Sequence, residues 1–233
     1  MSQHNISTVA HLIAEPVRAV ILITLADGCP RPAGALADAA GVTAQTASSH
    51  LSKLLDGGLL RVESKGRHRY YSLAGPHIPR VLESLASVGP VTTAWRSTLN
   101  RSARELRFAR CCYDHLAGRL GVAVTDALQQ REFLVPVQDR AFNVTPAGAT
   151  WFGGVGVDVA SLKPTRRGLA RQCLDWTERT HHLAGPLGAA FMSALCQAGW
   201  LRRSRSPRGV EVTLKGRLAL KRELGVDARP EAL

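Results

Sequence analysis

Residues 36–73 read LADAAGVTAQTASSHLSKLLDGGLLRVESKGRHRYYSL, and this stretch decides the fold of the N-terminal part of the chain. Leu36, Ala37 and Ala40 share one face at helical spacing, and Gly41-Val42 turns the chain. Thr43 suits the N-cap of a second helix that turns Ala47, Leu51, Leu54 and Leu55 inward, and Gly57-Gly58 ends it. Two β-rich runs follow, 59–64 and 68–73, joined by Lys65-Gly66-Arg67, which is a hairpin signal. Two helices around a glycine turn, the second opening on small polar residues, make a helix-turn-helix. The second helix of such a pair lies in the DNA major groove. Its offered side chains are Thr43, Gln45, Thr46, Ser48, Ser49, His50 and Lys53, short donors and acceptors for base edges and phosphates. The basic hairpin tip, with Lys65, Arg67 and Arg69, suits the phosphate backbone. Ser and Thr also decorate any solvated helix, so the polar row by itself is not specific.

Outward from this block, residues 5–26 carry Ile6, Val9, Leu12, Ile13, Val17, Val20, Ile21 and Leu25 at helical spacing, and Pro16 divides them into two helices. Pro32 opens the short helix that bears Leu36. Downstream, residues 76–88 form one more amphipathic helix with Ile78, Val81, Leu82 and Leu85 inward, before Gly89-Pro90.

Five blocks in this order, AEPVRAV (14–20), LADAAGV (36–42), SSHL (48–51), LLDGGLL (54–60) and GRHRYYSL (66–73), resemble the winged-helix domain of ArsR/SmtB-type bacterial repressors. The resemblance covers about the first 90 residues. It implies a homodimer built from the first and last helices, a recognition helix in each half-site of an inverted repeat, and release of DNA on binding an effector. It places Gln45, Thr46, Ser48, Ser49 and His50 on the reading helix, and Lys65, Arg67 and Arg69 on the wing. The chain departs from the pattern at the effector. The Cys-x-Cys box of many members is replaced by Leu36-Ala37-Asp38-Ala39-Ala40. The last helix offers only His77 and Glu83, six apart, so the usual metal sites are not supported.

Composition agrees with a soluble regulator. The 233 residues are 45% hydrophobic and 21% charged, which suits a globular chain of one large or two small domains. Lys plus Arg is 30 against 18 acidic residues, a net +12 that attracts polyanions. Residues 1–90 hold 8 basic and 6 acidic residues, so most of the excess lies beyond them. Only 5 of the basic residues are Lys, and such Arg richness equally fits a GC-rich genome. The apolar run 19–26 is too short to cross a bilayer, which needs roughly 20 residues. Five cysteines, an odd number, argue against a secreted disulfide framework, so the cytoplasm and no membrane partner are expected.

The remaining chain contains an internal repeat. HLAGRLGVAVTDAL (115–128) and HLAGPLGAAFMSAL (182–195) match at nine of fourteen positions, 67 residues apart. Val144-Thr145 with Gly148 recurs as Val212-Thr213 with Gly216, and Gly156-Val157-Asp158 as Gly225-Val226-Asp227. Each copy reads as a helix, a hairpin (133–145; 200–213) and a short helix, half of a winged helix. The two are expected to pack face to face across a pseudo-twofold axis. FGGVGVD (152–158) lacks the full spacing of a nucleotide loop and reads as a linker. The fold class expected is mainly α with small β-hairpins (α+β). Residues 1–90 form the winged helix-turn-helix, 91–111 a connecting helix, and 112–233 a domain of two winged-helix-like repeats (112–162 and 173–228).

Each copy is preceded by Cys-x-Asp, Cys112-Tyr113-Asp114 and Cys173-Leu174-Asp175. If the copies pair, Cys112 and Cys173 can meet, with Cys111, His115 and His182 as further ligands. Thiolates with imidazole or carboxylate suit zinc or another borderline-soft ion, three thiolates suit a trivalent metalloid, and two thiols suit a redox switch. The alternative is that these cysteines are ordinary core residues, that His115 and His182 cap or pack helices, and that Asp114 and Asp175 cap helix starts. Cys29 and Cys196 have no evident partner. Trp95, Trp151, Trp176 and Trp200 read as core anchors in preference to a ligand pocket. The leading functional reading is a dimeric DNA-binding repressor that binds an operator in double-stranded DNA. An architectural protein that binds DNA without sequence preference, and a regulator fused to an enzyme-like domain, are the alternatives. No nucleophile–base constellation supports the latter, so the chain reads as no enzyme.

Overall fold

A computed structural model describes residues 3–26, 28–75, 77–88, 101–204 and 208–230. The chain divides into two compact units, Met1–Gly89 and Pro90–Leu233.

In the first unit, α1 (Gln3–Ala14) and α2 (Pro16–Leu25) meet at Glu15 with a bend of 92°. The corner is built from three neighbouring residues. Pro16 sits at the first helical position, where its missing N–H costs nothing. The Glu15 carboxylate accepts from the amides of Val17 (3.1 Å) and Arg18 (2.8 Å), capping α2. The buried Arg18 reaches back to the carbonyls of Leu12 (2.6 Å) and His11 (2.7 Å), which α1 leaves unpaired at its end. No single helix among the described residues is long and apolar enough to cross a membrane.

Helices α3 (Ala33–Ala40) and α4 (Ala44–Asp56) follow, separated by Gly41 in the left-handed conformation at φ 65°. Strands β2 (Leu60–Lys65) and β3 (His68–Leu73) form the wing, with Lys65 opposite His68 around a two-residue Gly66-Arg67 turn. A two-residue strand β1 (Arg31–Pro32) pairs with β3 at Tyr71 and Tyr70, an element too short to leave a sequence pattern. Helix α5 (His77–Val88) completes the unit. Its core joins Ile21, Leu22 and Leu25 of α2 to Leu36, Leu51, Leu54, Tyr71 and Ile78. Val9, Leu12 and Ile13 pack partly buried against it.

The second unit begins with α6 (Arg101–Phe108). The expected connecting helix over 91–111 is therefore observed only as that segment, and residues 91–100, Trp95 among them, lie outside the described residues. Then come β4 (Arg110–Cys112), β5 (His115–Ala117), α7 (Gly118–Gln130), β6 (Leu134–Val137), β7 (Ala141–Val144) and α8 (Pro146–Gly154). After a 3-10 turn at Val159–Ser161 the same order returns. It runs β8 (Ala170–Leu174), β9 (His181–Ala184), α9 (Gly185–Gln197), β10 (Leu201–Arg203), β11 (Val210–Val212) and α10 (Leu214–Leu224). Thr145 and Thr213 cap α8 and α10 in the same way, each accepting from the glycine three residues on. Phe152, Gly153 and Gly154 are the end of α8, so FGGVGVD begins inside a helix and is not wholly a linker.

The sheets are exchanged between the halves. Strands β6-β7-β8-β9 form one four-stranded sheet, so the first half's hairpin pairs with the strands that open the second half. Reciprocally, the pair β4-β5 meets the hairpin β10-β11 through a bridge between Arg110 and Gly209 and a bond from Cys111 N to Arg208 O (2.7 Å). The mate of that bond runs from Gln172 N to Arg140 O (2.8 Å). One core spans both halves, with Leu120, Val124, Leu128, Phe152, Leu187, Phe191, Leu195 and Leu220 at its centre. Trp200 is buried in it and Trp151 packs against it.

Candidate nucleic-acid interface and cysteine–histidine centre

Helix α4 buries Ala47, Leu51 and Leu54 against the first unit's core and turns the rest of its surface out. Gln45, Thr46, Ser48, Ser49 and Lys53 are exposed, as are Lys65, Arg67 and Arg69 on the wing. Thr43 is the N-cap: its hydroxyl accepts from Thr46 N (3.2 Å) and lies 2.9 Å from the Thr46 hydroxyl. Arg61 donates to Ser72 (2.9 Å), tying the two wing strands together. His50 departs from the expected row. Its ring is half-buried and Nδ1 lies 3.1 Å from Glu15 Oε2, so it faces the α1–α2 corner and not the open side. Despite a desolvation that acts the other way, the Arg18 and Val17 amides and the nearby His50 hold the Glu15 carboxyl below its ordinary value.

The second unit brings Cys112, His115, Cys173 and His182 into one group whose four ligand atoms all lie within 4.8 Å of one another. The strands explain the meeting. Cys112 stands directly opposite His115 in the β4–β5 pair, and Cys173 directly opposite His182 in the β8–β9 pair. Both histidines therefore lie on strands, not at helix starts as the HLAG repeat suggests. The two Nε2 atoms are 3.1 Å apart. Both histidine residues are buried and both cysteines half-buried.

Cys111 is not in this group. Neighbouring strand residues point to opposite faces, so its sulfur turns away, buried and 3.4 Å from the carbonyl of Tyr113. Burial raises its thiol, with Arg203 acting in the opposite direction. The expected three-thiol arrangement accordingly loses one member.

Behind the group stands a buried ionic network that the sequence did not announce. Arg110, 3% exposed, donates from one terminal nitrogen, Nη2, to both oxygens of Asp175 (2.9 and 2.8 Å), which is wholly buried. Asp175 also accepts from Gly118 N (2.7 Å), Thr177 N (2.9 Å) and the Thr177 hydroxyl (2.7 Å). Burial alone would raise its carboxyl, but Arg110, Thr177 and His182 outweigh that and hold it far below the ordinary carboxylate range. It therefore does not cap the helix that follows it, but secures the start of α7 in the other half. Asp114 accepts from or faces His115 Nδ1 at 2.9 Å.

The Cys112 thiol is pushed up to about 11, first by its hydrogen bond with Cys173 and then by burial, while the two histidines pull it down. Burial lowers His115, but Cys112 and Asp114 more than offset this and raise it. The centre is a set of two thiols and two imidazoles in close reach, competent for an ion that displaces thiol protons or for an oxidant that joins the sulfurs.

Comparisons with known proteins bear on the helix-turn-helix. Residues 13–63 match the family described as a helix-turn-helix domain. The chain is 40% identical over 222 residues to the uncharacterized HTH-type transcriptional regulator YdfF of Bacillus subtilis (strain 168), covering 95% of this chain and 98% of that protein. It is 36% identical over 88 residues to the HTH-type transcriptional regulator CmtR of Mycobacterium bovis, covering 38% of this chain and 74% of that one. Among solved structures, the homodimeric winged helix-turn-helix DNA-binding domain of a possible ArsR-family regulator from M. bovis aligns at 32% identity and TM-score 0.34. That alignment covers 36% of this chain and 78% of the other. The likeness to YdfF extends through the second unit, well beyond the helix-turn-helix. The chain belongs to the family of HTH-type transcriptional regulators.

Proposed function

We propose that this regulator is a repressor. It reads an inverted-repeat operator as a homodimer and leaves it when the cysteine–histidine group of the second unit takes up an effector. The observation that carries the DNA reading is the exposed polar row of α4 beside an exposed basic wing, on a unit otherwise closed by its own core. Gln45 and Ser48 act on base edges, and Thr43, Thr46, Ser49, Lys53, Lys65, Arg67 and Arg69 on base edges or phosphates. His50 positions α4 through Glu15 instead. The dimer reading is supported by Val81, Leu85 and Val88, which expose an apolar stripe on α5, and by exposed Ile6 on α1.

Mobility-shift titration on the protein's own upstream DNA tests the proposal, with metal ions and oxidants added in turn. A repressor prefers that DNA to unrelated sequence by about 10³-fold or more at one fixed salt concentration. Equal affinity for both would leave a basic architectural protein, the reading that the net +12 favours.

A further inference from the structure

Taking the cysteine–histidine group as the effector site, as above, we infer that it is a closed four-ligand centre for one divalent, borderline-soft cation of the zinc and cadmium class. Its ligands are Cys112 Sγ, Cys173 Sγ, His115 Nε2 and His182 Nε2, and Asp114 and Asp175 are its positioning residues.

Geometry comes first. Two imidazole nitrogens about 2.0–2.1 Å from one tetrahedral ion lie about 3.3 Å apart, and two thiolates about 2.3 Å from it lie about 3.8 Å apart. The imidazole nitrogens here stand 3.1 Å apart, and all four ligand atoms fall inside 4.8 Å. The set therefore has the size of one coordination shell.

The second shell fixes the direction of the lone pairs. With Asp114 Oδ1 2.9 Å away, His115 carries its proton on Nδ1, which leaves the Nε2 lone pair aimed at the centre. Asp175 Oδ2 stands 3.5 Å from His182 Nδ1, which makes no hydrogen bond among the described residues. A cation on Nε2 makes Nδ1–H a stronger donor and draws that pair together. A carboxylate behind each ligating histidine is the arrangement that orients and strengthens imidazole ligands. Both carboxylates occupy the same place in the repeat, two residues after the cysteine.

Charge selects the valence. On binding, each thiol releases its proton to solvent, and two thiolates with two neutral imidazoles cancel a 2+ ion. Asp175 is already balanced by Arg110 and Asp114 is half-exposed to water, so the four ligands and the ion form a neutral set in a largely buried site. A trivalent metalloid seeks a third thiolate, and Cys111 faces the other side of its strand.

The test uses the full chain, reduced and stripped with chelator, and Co²⁺ as the probe. The expected result is one Co²⁺ per chain, with the strong visible absorption of a tetrahedral ion and a thiolate charge-transfer band, both abolished by one equivalent of Zn²⁺. Cys111→Ser should keep this spectrum, and Cys173→Ser should lose it. Asp114→Ala, on the half-exposed carboxylate, provides a second arm that does not depend on how Cys173→Ser folds, with affinity lowered about 10–100-fold and the spectrum retained at saturation. A weak octahedral spectrum, no uptake, or a Cys112–Cys173 disulfide that forms equally fast with and without Zn²⁺ would overturn the inference. Tetrahedral binding with unchanged operator affinity would uphold the site and overturn only the effector-release reading.

Discussion

His115 and His182 touch nitrogen to nitrogen across 67 positions of sequence. Two glycines face it. A Cβ on Gly188 would stand 3.3 Å from His115 Cβ, and one on Gly121 would stand 3.7 Å from His182 Cβ. At Gly188 the helix of one half thus comes close to the histidine strand of the other because it lacks a side chain there, whereas at Gly121 a Cβ would meet the other half's histidine only in ordinary contact. A Cβ at either glycine would also press on its own half's strand carbonyl, Leu183 O at 2.8 Å and Leu116 O at 2.7 Å.

Gly188→Ala should therefore both destabilise the second unit and part the histidines. A fixed backbone oxygen cannot yield as a flexible side chain can, so a loss of about 1–3 kcal/mol is expected. Chemical denaturation of the variant and parent measures it, and unchanged midpoints would show that the strand gives way easily.

Asp175→Ala should be more damaging. Removing the carboxylate leaves the buried Arg110 charge without its partner and takes an acceptor from Gly118 N and Thr177 N. Breaking a buried pair from one side costs about 3–5 kcal/mol. Thermal unfolding followed by circular dichroism should show the loss in the second unit's transition, with the first unit's retained.

On the DNA side, Gln45→Ala should weaken operator binding by about 1–3 kcal/mol and relax preference at one base position. Arg67→Ala should weaken all sequences alike and reduce the salt slope by about 1. Fluorescence anisotropy over a salt series separates the two. Parent-like binding by both variants would remove α4 and the wing as the reading surface.

Leu85→Asp tests the dimer. A charge in the exposed stripe Val81–Leu85–Val88 should shift sedimentation from dimer to monomer at micromolar concentration and cost operator affinity, while the fold of the unit is kept. A parent that sediments as a monomer would settle the matter the other way.

The first unit was legible because its signals are local. Pro16, Gly41, Thr43 and Gly57 each mark a boundary within a residue or two of where it falls. The pairing of Arg18 with the end of α1 was not, since nothing in the spacing marks a buried arginine as a cap. In the second unit the repeat announced the helices and hairpins but hid the strands before them. Three residues, His115–Ala117, are too few to show alternation, and they run straight into a helix whose apolar spacing absorbs them. Once β4 is known to be a strand, the exclusion of Cys111 follows from its place beside Cys112. The meeting of Cys112 with Cys173 was legible from the repeat. The Arg110–Asp175 pair was not, because Asp175 looked like one more helix cap.

The exchange of strands makes each half of the second unit an incomplete template. The hairpin β6-β7 has no neighbour until β8 arrives, and β4-β5 wait for residues 208–210. During synthesis, therefore, the edge of β4-β5 stays without its neighbour until residues 208–210 have emerged. A nick in the exposed 163–168 connection should leave the two halves of this unit held together by their shared sheet and core, and once parted in denaturant they should recover this unit's fold only on mixing. Fusion partners would then be safer at the ends of the chain than within this unit.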